Sequence, residues 1–301
     1  MNRLLHEAVL ERPLVCDGAM GTELMAAGLE AGGCGERWNL DHPERVLAIQ
    51  RRYVEAGADC ITTNTFGASR LMLGRHGHAG LVREVNRAGV RIAREALGSR
   101  DGWVLGDIGP LGALLEPYGD LPAAEARAAL EEQAAALVEA GADAILIETE
   151  TSLEETGLAI EAARAAGAAS IAASLAYDLS ADGSFYVTMM GVRPEQAAAF
   201  IEERGAHIAG LNCGTGVDMR AAARIVRSYR EHASLPVLGQ PNAGSPALEH
   251  GQAVYRQTPE EMAAAVPEVL AAGARIVGSC CGSTPAHTAA IRRAVDALRN
   301  R

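Results

Sequence analysis

"EAGADAILIET", residues 139 to 149, joins the end of one structural element to the start of the next. Glu139 and Ala140 close a polar, alanine-rich run with helical spacing, and Gly141 supplies the left-handed conformation that best ends a helix. The apolar run that follows is short and continuous, as in a strand buried on both faces. The same phrase returns as "EAGADCITTNTF" (55 to 66), "AAGAASIAASLA" (165 to 176), "ERGAHIAGLNC" (203 to 213) and "AAGARIVGSC" (271 to 280). Each reads as a helix-to-strand junction.

Three further apolar runs lack the Gly-Ala entry but fall in the gaps: "PLVCDG" (13 to 18), "WVLGDIGP" (103 to 110) and "LPVLGQP" (235 to 241). Amphipathic stretches at 43–57, 80–97, 123–140, 152–166, 194–204, 217–231 and 258–272 separate the runs, with Pro43, Pro194 and Pro259 near helix starts. Roughly eight strands alternating with helices predict an α/β chain folded as a (β/α)8 TIM barrel, one domain over residues 1–301. A doubly wound open sheet is the competing arrangement. No low-complexity linker or charge block marks a second domain.

The bulk composition narrows the function. A chain of 301 residues with 49% hydrophobic content can bury a full core. Its formal net charge of -11 repels phosphate backbones and anionic lipid, so nucleic acid and membrane surfaces are not expected partners. Arg3, His6, Glu7, Glu11 and Arg12 interrupt the N-terminal apolar residues, so neither a signal peptide nor a spanning helix can be drawn there, and a cytoplasmic location is expected. In that reducing compartment the six cysteines suit ligands, nucleophiles or core filler better than disulfides. The sequence contains no lysine, which excludes Schiff-base aldolases, pyridoxal enzymes and P-loop NTPases.

Polar residues gather at the predicted strand ends: Asp17 with Gly18, Asn64 with Thr65, Asp107, Glu148, Asn212 with Cys213, Asn242, and Cys280 with Cys281. That is the C-terminal rim, where barrels place their chemistry. The irregular stretches 29–39 and 177–191 are expected to loop over the same face.

"VGSCCGSTPAH" (277 to 287) sets two cysteines side by side. Neighbouring side chains on an extended strand point to opposite faces, so the pair can converge only where the chain turns. Gly282 follows directly, and Ser283 or Thr284 with Pro285 supplies a helix start, which places a bend at the pair. Cys213 lies two strands away around the rim. Three thiolates at about 2.3 Å from a zinc ion would leave one tetrahedral position open, the catalytic kind of site. Buried filler, a redox pair and a vicinal disulfide also fit the pair, since no CxxC spacing is present. Cys16, Cys34 and Cys60 read as structural, and His76 with His78 as a solvated loop.

The first turn, "CDGAMGTELMAAGL" (16 to 29), ends a strand at Asp17 and enters a helix through small residues. Backbone amides of Gly18, Ala19 and Met20 can face a carboxylate there, while Asp17 and Glu148 can hold an ammonium. Together they describe an amino-acid pocket. Either acid alone equally fits a capping or loop role, and Glu150 reads as structural.

"DGAMGTEL", "TNTFGASR", "GDIGPLG", "LIETETS", "LNCGTG", "QPNAGSP" with "GQAVYRQTPEEMA", and "GSCCGSTPAH" together resemble the homocysteine S-methyltransferases, over nearly the whole chain. The likeness is nearer to the homocysteine-binding domain of cobalamin-dependent methionine synthase and more distant to betaine:homocysteine methyltransferase. It implies a barrel with Zn2+ held by Cys213, Cys280 and Cys281, which would activate the thiol of homocysteine for methyl transfer to give methionine. It also implies that Asp17, Gly18, Ala19, Met20 and Glu148 bind the amino-acid end of homocysteine, with Asn242 in the open zinc position before substrate arrives.

Departures from the family pattern bear on the donor. Gly278 and Ser279 stand where a double glycine is usual, and "FYVTMMGVRPEQ" (185 to 196) differs from the methionine synthase form. No DxHxxG cobalamin motif and no following pterin-binding barrel is present, so a methylcorrinoid would be carried on a separate protein. S-methylmethionine, S-adenosylmethionine and a betaine-like onium are the other donors compatible with the site. A zinc-bound thiol sensor, or a subunit of a multi-chain corrinoid enzyme with another thiol acceptor, is the alternative reading.

Overall fold

In the computed structural model, which describes residues 3–249 and 252–299, eight parallel strands form one sheet. They are β1 (Leu14–Val15), β2 (Cys60–Thr62), β3 (Trp103–Ile108), β4 (Ala144–Glu150), β5 (Ile171–Leu175), β6 (Ile208–Asn212), β7 (Val237–Gln240) and β8 (Ala274–Val277). Each strand pairs with its sequence neighbour, and β8 pairs with β1. A parallel bridge between Cys16 and Cys60 closes the remaining gap, with Asp59 N donating to Val15 O at 2.7 Å and Asp17 N to Cys60 O at 3.1 Å. This sequential, closed order is a (β/α)8 barrel and excludes the doubly wound sheet.

The glycines of the repeated phrase do what their position requires. Gly57, Gly141, Gly167, Gly205 and Gly273 adopt φ of +98°, +91°, +80°, +78° and +110°, each ending a helix just before a barrel strand. The helices that alternate with the strands are α1 (Pro43–Glu55), α2 (Val82–Leu97), α3 (Ala123–Glu139), α4 (Leu153–Ala165), α5 (Pro194–Glu203), α6 (Met219–His232), α7 (Val266–Ala271) and α8 (Pro285–Arg299), with shorter helices in the loops. The stretch 258–272, read as one helix, divides into Pro259–Ala264 and α7. Pro267 has no N–H and its ring crowds the preceding turn, so the first helix cannot run through it.

Two apolar layers follow from the strands' alternation. Outward residues such as Ile61, Val104, Ile145 and Ile147 pack against the helices. Inward residues, among them Leu14, Cys60, Trp103, Leu105, Leu146, Ile208, Leu238 and Ile276, fill the barrel. Leu5, Ala8 and Val9 of the N-terminal helix Leu5–Glu11 join this inner layer and plug its N-terminal end. Trp103 Nε1 donates to Arg3 O at 2.8 Å and Arg275 Nε to Val9 O at 2.6 Å, fixing the plug. With one end sealed, the inward side chains at the other end are left to form the mouth. Short hairpins, Asp178–Leu179 with Tyr186–Val187 and Ala247–Glu249 with Gln252–Val254, follow β5 and β7 there.

Candidate metal centre

One register step above the apolar filling, the inward positions are Thr62, Asp107, Glu148, Ser174, Asn212 and Gln240, all polar. Buried polar groups are costly unless they are paired, so the partners of each define the site. Asn212 is the hub. Fully buried, it accepts at Oδ1 from Thr149 N (2.8 Å) and Ser174 Oγ, and it donates through Nδ2 to Glu148 Oε2 (3.1 Å) and Thr149 Oγ1 (2.7 Å).

Directly after Asn212 the strand ends in two left-handed residues, Cys213 at φ +56° and Gly214 at φ +89°. A non-glycine residue seldom adopts this conformation, and here Cys213 N donates to Gln240 O at 3.2 Å, which holds the turn in place. Gly214 has no room for a side chain, because a Cβ would lie 1.8 Å from Tyr177 O. On the other side of the mouth, Cys280 N donates to Pro241 O (2.9 Å), Ala243 N to Cys281 O (3.0 Å) and Ser283 N to Cys280 O (3.1 Å). These bonds, with Gly282 at φ +76°, make the expected bend at the cysteine pair.

The two turns face each other. Cys213 Sγ lies 4.0 Å from Cys281 Sγ, Cys280 Sγ lies 3.9 Å from Cys281 Sγ, and all three sulfurs are within 4.8 Å of one another. A tetrahedral zinc at about 2.3 Å from each would set the sulfurs about 3.8 Å apart, so the donor set fits the ion without rearrangement of the backbone. A vicinal disulfide does not describe the pair: both thiols are free and far beyond the S–S bond length of about 2.05 Å. Hydrogen bonds from Cys280 and then Cys281, with help from the Gly214 amide and Asn242, hold the Cys213 thiol far below its ordinary range. The thiolate in turn pushes Cys281 up to about 11 and Cys280 well above its usual value. The Tyr255 hydroxyl also reaches Cys281, and its ring packs where a Cβ on Gly282 would stand.

Asp17 and Glu148 stand at the ends of β1 and β4, where the charges of Asp17 and Cys213 both act on Glu148. Asp17 is 2% exposed, and its carboxyl accepts from Thr62 N (2.7 Å), Thr62 Oγ1 (2.9 Å) and Cys16 Sγ (3.4 Å). Burial raises it to about 6 against the pull of those bonds. Glu148 is raised to about 8, first by burial, then by the charges of Cys213 and Asp17. Ser279 N donates to Asp17 O at 3.3 Å and Ser283 Oγ accepts from Ala19 N at 3.0 Å, so the first turn is stitched to the cysteine bend. The Ala19 amide is therefore occupied within the chain. Met20 opens the short helix Gly21–Ala26, and Gly18 is required because a Cβ would lie 2.6 Å from Ser283 Oγ. Asn242 Nδ2 donates to Gly214 O at 2.9 Å, while its buried Oδ1 has no partner.

The sequence model of the homocysteine S-methyltransferase family matches residues 14–295. The chain belongs to that family. It is 36% identical over 312 residues to methionine synthase of Mycobacterium tuberculosis strain H37Rv, covering 98% of this chain and 26% of that protein. For methionine synthase of Mycobacterium leprae the identity is 35%, over 97% of this chain and 25% of the relative. The chain thus spans about a quarter of the length of these relatives. The fold matches the metallated form of the homocysteine methyltransferase MmuM from Escherichia coli with a TM-score of 0.78, at 23% identity over 95% of this chain and 98% of that one. Its oxidized form gives 0.78 at 24% identity, over 97% and 99% of the two chains.

The remaining cysteines and histidines stay apart from the three sulfurs, Cys16 touching the site only through Asp17. Cys16 and Cys60 are fully buried barrel residues, Cys34 donates to Glu36 Oε2 at 3.6 Å, and His76 is exposed between short helical turns. The hub role of Asn212 and the orphan carboxyl of Asp107 were not evident in the sequence. A period-2 count from the apolar filling would have placed both inward, but not named their partners. A cleft of about 490 Å3 lined by Arg12, Asp59, Arg100, Asp101, Arg292 and Arg299 opens at the opposite, N-terminal end. Its arginines are largely engaged, with Arg12 and Arg292 both on Asp59 at 2.9 and 3.0 Å.

Proposed function

We propose that this chain transfers a methyl group to the sulfur of homocysteine, giving methionine, with zinc held by Cys213, Cys280 and Cys281. The observation that carries the reading is the convergence of three free sulfurs, from the ends of two separate strands, at the same mouth as Asp17 and Glu148, whose carboxyls are both raised by desolvation. Bound zinc would keep a coordinated thiol ionised at neutral pH, where a free thiol with a pKa of about 8.5 is mostly protonated. Asp17 and Glu148 receive the substrate's ammonium, and Asn212 fixes the direction of the Glu148 carboxyl. The turn of Gly18, Ala19 and Met20 lies against the substrate's carboxylate. Asn242 Oδ1, buried and without a partner, is the acceptor suited to the fourth zinc position before substrate arrives.

The donor presents its methyl group at the open mouth. A methylcorrinoid, S-methylmethionine, S-adenosylmethionine and a betaine-like onium all supply an electrophilic methyl. Exposed Met25, on the short helix after β1, and Leu114, Tyr118 and Met189, in the segments after β3 and β5, put apolar side chains on the connections that follow barrel strands, which suits a donor protein. No helix among the described residues is long and apolar enough to cross a membrane, and a cytoplasmic setting agrees with reduced thiols. Single-turnover assays of zinc-loaded protein with homocysteine and each donor test the reading. Methionine from at least one donor is expected; homocysteine binding without product from any donor would move the protein to the thiol-sensor reading.

A further inference from the structure

Asp107, the last inward position of β3, lies directly above Leu105 of the barrel filling and beside its register partner Leu146. Its backbone is clamped on both sides. Its N–H donates to Thr63 Oγ1 at 2.9 Å, and its carbonyl accepts from Thr65 Oγ1 at 2.7 Å and Gln133 Nε2 at 3.3 Å. Its side chain is treated in the opposite way: the residue is 3% exposed, yet Oδ1 is buried with no hydrogen-bond partner. The groups that act on it electrostatically are Glu148, Asp17 and Glu36, all acids. Glu36 is committed elsewhere, accepting from Gly67 N at 2.8 Å. Among the described residues no arginine or histidine forms an ion pair with Asp17, Asp107 or Glu148, and the chain has no lysine.

Three carboxyls close enough for their charges to act on one another, with no cation among them, are costly as a purely structural arrangement. They are matched to a ligand that brings one. An ammonium group has three N–H donors and needs three acceptors. Asp17 already accepts at both oxygens, from Thr62 and Cys16, and Glu148 Oε2 is taken by Asn212. Glu148 Oε1 is left to accept, and Asp107 Oδ1 is the acceptor of the group that is buried with no partner at all. We propose that Asp107 binds the substrate's α-ammonium as the third carboxyl of a cage with Asp17 and Glu148, and that it sets the preference for amino-acid thiols over thiols without an amine. This inference rests on the amino-acid reading of the thiol substrate.

The test compares homocysteine with 4-mercaptobutanoate, its analogue without the amino group, by titration calorimetry on zinc-loaded wild type and Asp107→Asn. The variant should keep full zinc content and a melting temperature unchanged or higher, since it removes an unpartnered buried acid. Its homocysteine affinity should fall about ten- to a hundredfold, the range for losing one hydrogen bond to a charged group, with the analogue's affinity within about twofold of wild type. Asp107→Ala should give the same split and serves as the second variant. Equal weakening of both thiols or unchanged homocysteine affinity overturns the role of Asp107 and leaves the proposed reaction standing. Wild-type protein that binds neither thiol overturns both.

Discussion

Cys213 and Cys281 stand 68 positions apart in the chain, yet their sulfurs meet at 4.0 Å. The approach depends on two backbone bends, one at Cys213 anchored to the last residue of β7 and one at Gly282 anchored to the loop that follows it. Single Cys→Ser changes at 213, 280 or 281 should each release zinc and abolish methyl transfer while leaving the barrel folded. Metal analysis after dialysis, alongside far-UV circular dichroism, checks this. Retention of zinc by all three variants would remove the metal assignment.

Gly214→Ala probes the bend itself. The new Cβ would collide with the Tyr177 carbonyl, and φ of +89° is strained for any L side chain. The turn must open, moving Cys213 away from its partners, at a cost of about 1–3 kcal/mol for the local strain. Zinc affinity should therefore drop sharply with only a modest fall in melting temperature. An unaltered affinity would mean that the cysteine turn tolerates displacement.

The barrel was legible because its signals are local and repeated. Five Gly-Ala junctions each specify a helix end and a strand start, and all five glycines adopt the positive φ their position demanded. The rim was legible for a related reason, since polar residues at strand ends have few other places to go. Hydrogen-bond partners were not, because they are set by neighbouring strands. That Thr62 occupies Asp17 follows from the closure of β1 on β2, and that Ser283 takes the Ala19 amide follows from the meeting of the first and last turns. The hairpins were missed because strands of two or three residues carry no readable period.

Asn212→Ala should separate positioning from metal binding. It leaves Thr149 N, Ser174 Oγ and Glu148 without their common partner, an effect of about 1–3 kcal/mol in a buried network. Homocysteine KM should rise roughly tenfold, as expected for one lost bond of that size. Zinc content should persist, because no ligand sulfur bonds to the Asn212 side chain. Loss of metal with unchanged KM would place Asn212 in the service of the Cys213 turn instead.

The Asp17 carboxyl sets a pH dependence whose sign can be worked out. Burial raises it from 3.8 to about 6 in the folded chain, so the folded state binds the proton more tightly than the unfolded one. The stability this contributes is present in full below pH about 4 and is lost as pH rises through about 6, on the order of 2–3 kcal/mol. Urea unfolding of the metal-free protein between pH 4 and 7 should therefore fall less steeply for Asp17→Asn than for wild type. Substrate works in the other direction. An ammonium needs ionised carboxyls, so homocysteine affinity, already weakening as Glu148 takes up its proton near pH 8, should fall more steeply below pH about 6 in wild type, by up to about tenfold more per unit, and this added slope should be missing in the variant. Identical pH profiles for the two proteins would show that Asp17 neither strains the fold nor meets the substrate.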